Sequence, residues 1–183
     1  MKPAYWYWNN VFSLKEIKEI NKIIDKNKRT VVEDHASDNA TKTSTIEQVE
    51  YKFLKDNLHN ILSNAHATNQ YNFGFSLYSP LDLDILNYNI YNSKTNGQYD
   101  WHTDVSNDYI SDIKLTLLIN LSDKPYTGGK FFIKQNALDL EIQEFSKPGD
   151  VLMFKSHILH KVDPLLSGER KTLAYFLMGT RFI

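Results

Sequence analysis

The chain has 183 residues, 42% of them hydrophobic and 13% aromatic, with 21 basic and 22 acidic side chains and a net charge of −1. That length fits one domain, residues 1–183, able to bury roughly 70% of its unfolded surface; the balanced charge gives no electrostatic case for nucleic acid or a membrane as partner. There is no cysteine, so disulfides and thiolate metal sites are excluded, and any metal must be held by imidazole and carboxylate.

The start, Met1 to Trp8, carries no apolar run of signal-peptide length, and no later stretch approaches membrane-spanning length. A soluble, cytoplasmic protein is expected. Residues 4–12 read as an aromatic strand, with Trp6 and Trp8 expected in the core. Ser13 and Glu16 form a capping box after apolar Phe12. Leu14, Ile17, Ile20, Ile23 and Ile24 then recur at helical spacing to about Asn27. Residues 30–45 are polar and read as a loop after a short strand from Thr30 to Glu33. His35 falls in that loop and is not favoured as a ligand.

A second helix is expected from about Ile46 to Ala65, with Val49, Phe53, Leu54, Leu58, Ile61 and Leu62 inward and His59 and His66 at the surface. From Tyr71 to Leu77 the period changes to two, the pattern of a half-buried strand that Pro80 ends. Further strands are expected at Ile85–Tyr91, Lys114–Leu121, Lys130–Lys134, Leu138–Phe145, Val151–Phe154, Ile158–Val162 and Arg170–Met178. Turns fall at Tyr126–Gly129 and Pro148–Asp150. Two helices followed by many short strands suggest an α+β, mainly β fold: a sandwich or barrel packed against helices.

Two segments carry candidate chemistry. The first is Tyr99-Asp100-Trp101-His102-Thr103-Asp104; the second runs from Ser156 through His157 and His160 to Arg170 and Thr172. Residues i and i+2 of an extended chain point to the same side, so His102 and Asp104 can reach one ion. A third ligand from a distant strand completes a 2-His-1-carboxylate face with open positions, the set suited to iron(II). His157 and His160 compete for that place. His160 is favoured, because Arg170 follows ten positions later across a turn containing Pro164, Ser167 and Gly168. The flanking strands can then pair, which brings Arg170 back towards His160. Its planar fork suits a carboxylate, and Thr172 faces the same way. The same three ligands could hold zinc for hydrolysis, but Arg170 and Thr172 speak for a dicarboxylate partner. Arg170 could instead pair with Glu169 at the surface. Trp101 either borders the substrate cleft or packs as a structural aromatic.

The second half, about residues 85–178, resembles the iron- and 2-oxoglutarate-dependent dioxygenases of the prolyl 4-hydroxylase type. The likeness is ordered: Tyr91, Gly97, Tyr99-x-x-His102-x-Asp104, Thr116 to Leu121, Gly128-Gly129, Pro148-Gly149-Asp150, Ser156, then His160-x-Val162-x-Pro164 and Gly168-x-Arg170. It implies a double-stranded β-helix (jelly roll), about residues 71–180, flanked by N-terminal helices at about 13–65. It implies His102, Asp104 and His160 as ligands of Fe(II), with Arg170 and Thr172 holding the distal carboxylate of 2-oxoglutarate. Tyr91, Tyr99, Thr116, Leu118, Asn120, Phe131 and Val162 are expected to line the co-substrate pocket. Dioxygen is the co-reactant, with ascorbate as an accessory reductant.

The implied reaction is hydroxylation of a C–H bond with release of succinate and carbon dioxide. A prolyl residue of a peptide or protein is the expected substrate, with a free amino acid or other small molecule as runner-up. A catalytically silent binding domain of the same fold is the rival of another class. Nucleic-acid demethylation is disfavoured, because position 176, where a second arginine would be expected, is phenylalanine.

Overall fold

The computed structural model describes residues 2–30, 42–104 and 111–181. Strand β1 (Tyr5–Trp8) leads into helix α1 (Leu14–Asn27). The helix starts where expected. Ser13 Oγ accepts from the Glu16 N–H at 3.3 Å, and Glu16 Oε2 accepts from the Ser13 N–H at 2.8 Å. Ile17, Ile20 and Ile24 form its buried stripe.

Strands β2 (Arg29–Thr30) and β3 (Ser44–Glu50) follow, and helix α2 spans Lys55–Thr68. Next come β4 (Ile85–Asn92), β5 (Tyr99–His102), β6 (Ser111–Asn120), β7 (Thr127–Gly128), β8 (Phe131–Gln135) and β9 (Leu138–Glu141). The chain ends with β10 (Val151–Lys155), β11 (His160–Val162), β12 (Leu165–Ser167) and β13 (Glu169–Thr180).

A seven-stranded sheet has the order β1-β10-β6-β13-β4-β3-β2; a four-stranded sheet has the order β5-β11-β8-β9. β12 and β7 form a two-stranded ribbon. The pairs within both larger sheets are antiparallel. The result is the mainly β jelly roll with N-terminal helices that the sequence leads one to expect.

Strand alternation divides the core in two. On β6, Leu115, Leu117 and Ile119 point to the helices and pack with Ile17, Ile20, Leu58 and Ile61. Leu118 points the other way, between the sheets, and shares a second cluster with Phe131, Phe145, Phe154, Val162 and Ala174. Among the described residues no helix is long and apolar enough to cross a membrane.

Two segments differ from the expected helix and strand. Residues 44–50 are a strand, not the start of a helix, and β3 pairs with β4 along its whole length. Thr45, Ile46 and Val49 are β-branched and fit a pleated surface. The chain then turns at Tyr51–Phe53, which leaves Phe53 exposed. Residues 69–73 are a π-helical turn that extends α2, and Gly74 ends it at φ 77°. Asn69 clamps that turn: its Nδ2 donates to the Phe75 carbonyl at 2.8 Å, and its Oδ1 accepts the Phe75 N–H at 3.0 Å. Tyr71 is therefore exposed, and only Leu77 bridges to the sheet, at Gly179.

Smaller differences follow the same logic. The first strand is confined to Tyr5–Trp8, with Trp6 exposed and Trp8 packed on the helix-side core. β9 stops at Glu141, and Gln143–Phe145 form a 3-10 turn. His59 is exposed as expected. His66 is half-buried, its Nε2 has no hydrogen-bond partner, and burial pushes its pKa down. Residues 31–33 and His35 lie outside the described residues.

Candidate active site

The site is built where β5 meets β11. His102 is the register partner of His160, and Tyr99 that of Val162. Three steps on β5 thus match two on β11, a bulge that re-aims side chains. Both Tyr99 and His102 come to lie on the inner side, their rings stacked at 3.4 Å between centroids.

Both imidazoles are oriented by backbone. His102 Nδ1 lies 2.7 Å from the Asp100 carbonyl oxygen, and His160 Nδ1 lies 2.9 Å from that of Ile158. A carbonyl can only accept, so each Nδ1 carries the proton and each Nε2 presents a lone pair. Asp104 follows the end of β5. Its N–H donates to the Ser156 carbonyl at 2.9 Å, and its Oδ2 accepts from Thr116 Oγ1 at 2.7 Å.

The Asp104 carboxylate sits 3.8 Å from His102 Nε2 and 3.3 Å from His160 Nε2. One donor atom from each of the three residues falls within 4.8 Å of the others, and among the described residues this is the one such group. His157 is exposed and stays outside it.

The surroundings of the imidazoles are aromatic and largely closed to water. Phe154 and Phe131 pack on the His160 ring at 4.6 and 5.7 Å. Burial, with His160 close by, lowers the His102 pKa to about 4. Burial alone would raise that of Asp104, but the two histidines and the Thr116 hydroxyl outweigh it and hold the carboxyl low. Near neutral pH His102 thus offers a neutral nitrogen and Asp104 an anionic oxygen.

Arg170 is register partner to Tyr91 on the neighbouring strand β4. Its guanidinium carbon lies 5.5 Å from the centroids of both the Tyr91 and Phe145 rings. The residue is 1% exposed, and its Nε and Nη2 are buried without a hydrogen-bond partner. Glu169 does not pair with it; that carboxylate lies 3.3 Å from Lys171 Nζ. A buried guanidinium that meets no anion among the described residues is costly, and a planar fork of this kind can take a carboxylate.

Phe145 and Phe131 meet edge to face at 6.0 Å. The aromatic sequence Arg170–Phe145–Phe131–His160 thus links the cation to the triad inside one core. Gly129 makes room for the arginine. It has φ +62°, and a Cβ there would lie 3.0 Å from Arg170 Cδ.

The other expected pocket residues fall on this inner side in different states. Thr172 is buried beside Arg170, two positions along β13. Tyr91, Leu118, Phe131 and Val162 belong to the inner cluster, and Tyr99 packs against it. Thr116 is engaged with Asp104. Asn120 is also engaged: its Nδ2 donates to the Tyr126 hydroxyl at 3.0 Å, and its Oδ1 accepts the Ser122 N–H at 3.1 Å. Trp101 is half-buried under two cations, Lys134 Nζ at 4.7 Å and Lys161 Nζ at 5.2 Å from its ring.

Sequence reasoning missed Phe145, Phe154 and Tyr126. Alternation along β10 could have placed Phe154 inward. Phe145 sits on a 3-10 turn, where no period applies.

A sequence profile described as the 2OG-Fe(II) oxygenase superfamily matches residues 86–178, just over half of the chain. The chain belongs to this superfamily. This oxygenase accordingly uses iron(II), 2-oxoglutarate and dioxygen, and the donor set fits them: two imidazoles, one carboxylate and a buried guanidinium whose Nε and Nη2 have no partner among the described residues. Hydrolytic zinc is thereby set aside.

No curated sequence matches the chain significantly. Among solved structures it is similar to a prolyl-4-hydroxylase of Pseudomonas putida, at 13% identity and TM-score 0.69, over 98% of this chain and 94% of that one. It is also similar to the viral collagen prolyl hydroxylase of Paramecium Bursaria Chlorella virus-1 in its 2OG complex, at 15% identity and TM-score 0.69, over 97% of each chain. A third is the prolyl hydroxylase of Trichoplax adhaerens in complex with a hypoxia inducible factor peptide fragment, at 15% identity and TM-score 0.65, over 97% of this chain and 83% of that one. At such identities the likeness is one of fold.

Proposed function

We propose that this oxygenase hydroxylates a prolyl residue of a peptide or protein, and that the whole chain serves as one catalytic domain. The observation that carries the oxidative reading is Arg170: a buried guanidinium with unpartnered nitrogens, joined through two phenylalanine rings to a His-Asp-His triad. Support for the prolyl substrate comes from fold likeness spanning nearly the whole chain, including a relative described with a bound peptide.

In this reading His102, Asp104 and His160 hold the iron, and Arg170 with Thr172 holds the distal carboxylate of 2-oxoglutarate. Bound iron(II), with 2-oxoglutarate and dioxygen, supplies the oxidising power that converts C–H to C–OH as succinate and carbon dioxide leave. The chain's own part is orientation and exclusion of water. Each histidine keeps its proton on Nδ1, so that Nε2 is free to ligate. Tyr91 and Phe145 pack on the guanidinium, and each of its hydrogen bonds to a carboxylate is worth about 1.5–3 kcal/mol. Leu118, Phe131 and Val162 wall the space between the sheets, and Tyr99 covers the His102 ring.

The test is mass spectrometry of proline-containing peptides incubated with protein, iron(II) and 2-oxoglutarate. One added oxygen on proline with stoichiometric succinate is the expected result. Succinate release that rises only with free amino acids would overturn the peptide substrate. No release with any substrate would favour the silent domain.

A further inference from the structure

All three triad residues are held from behind, but not by the same kind of group. The histidines are anchored by backbone carbonyls, those of Asp100 and Ile158, and the Asp104 N–H by the Ser156 carbonyl. The Asp104 carboxylate is anchored by a side chain, Thr116 Oγ1 at 2.7 Å. Thr116 lies on the central strand β6, paired with Phe154 on one side and Phe176 on the other, and is 1% exposed. A β-branched side chain there has little rotational freedom. Its hydroxyl is spent on the carboxylate and is therefore not a spare donor for a co-substrate.

We infer that Thr116 is a positioning residue for the metal. Its hydroxyl fixes the rotation of the Asp104 carboxylate about the Cβ–Cγ bond: Oδ2, which accepts from Thr116, is kept 3.3 Å from His160 Nε2, and Oδ1 is thereby turned to within 3.8 Å of His102 Nε2. The inference rests on the triad being the iron site. Unanchored, the carboxylate would turn freely at the end of β5, and the ion would have to order it on binding. Groups that orient metal ligands in this way change affinity by about 10–100-fold.

The experiment is Mn(II) titration of the metal-free protein, followed by electron paramagnetic resonance, without co-substrate or turnover. Thr116→Val keeps the branched shape and removes the hydroxyl; Thr116→Ala serves if the valine variant does not fold. Either is expected to weaken Mn(II) binding by about 10–100-fold, while Thr116→Ser restores it to near the wild-type value. Wild-type affinity in the valine or alanine variant would overturn the inference and leave the triad reading intact. Failure of the wild-type protein to bind Mn(II), or undiminished binding in His102→Ala, would overturn that reading and this inference with it.

Discussion

His102 and His160 face each other as register partners across β5 and β11, each tied through Nδ1 to the carbonyl two residues before it, at 2.7 and 2.9 Å. The pair is thus set by strand pairing itself. Replacing His160 by alanine should lower metal affinity by more than about 100-fold, beyond what loss of an orienting group alone costs. His157→Ala should leave it unchanged, because that ring is exposed and outside the triad. Titration of the two variants with Mn(II) distinguishes them.

Arg170 should behave oppositely with and without co-substrate. In the free protein its Nε and Nη2 are buried and unpaired, an arrangement that costs stability. Arg170→Met should therefore melt no lower than wild type in the absence of ligand. Saturating 2-oxoglutarate should raise the wild-type melting temperature and leave that of the variant where it was. The loss in co-substrate affinity should be on the order of 100-fold or more, from two charge-assisted hydrogen bonds. Differential scanning fluorimetry with and without 2-oxoglutarate reads both effects.

Gly129→Ala should damage the same half of the site indirectly. A methyl group there would meet Leu165 Cδ1 at 2.9 Å and Arg170 Cδ at 3.0 Å, on a backbone at φ +62°. The strained backbone alone costs roughly 1–2 kcal/mol. The expected outcome is a raised KM for 2-oxoglutarate with metal affinity preserved. Steady-state kinetics beside a metal titration would show the split.

The capping box of α1 gives a pH-dependent contribution to stability. Hydrogen bonds from the Ser13 side chain and backbone hold the Glu16 carboxyl below the usual carboxylate range. A depressed folded pKa means that the unfolded chain binds the proton more readily. The contribution is therefore present above the unfolded value, near 4.5, and fades as pH falls through the folded one. Glu16→Gln should lower the urea midpoint at pH 6, and the gap to wild type should narrow as pH falls below 4.5. Ser13→Ala should cost about 1 kcal/mol at neutral pH.

The parts of the molecule legible in its sequence are those where one local pattern meets no competitor. Helix α1 carries both cap and stripe, and Leu115, Leu117 and Ile119 alternate cleanly with Thr116, Leu118 and Asn120. The grouping of His102, Asp104 and His160 was readable because two short motifs carry all three. Residues 46–50 were misread because Ile46, Val49 and Phe53 also satisfy a helical period, and only pairing with β4 decides between the two. Tyr71–Leu77 was misread because period two arose by chance beside the Asn69 clamp. The bulge between Tyr99 and His102, the Phe145 face against Arg170 and the Thr116–Asp104 contact depend on elements far apart in the chain, so no local pattern announces them.

The seven-stranded sheet has one apolar cluster on each side, and this makes it a bulkhead. Changes among Ile17, Ile20, Leu58 and Ile61 alter how long the molecule survives heat or protease, yet meet the reactive compartment only through the backbone of the strands. Durability and catalysis can consequently be tuned by separate sets of mutations, the first drawn from the helical side and the second from the space enclosed by the two sheets.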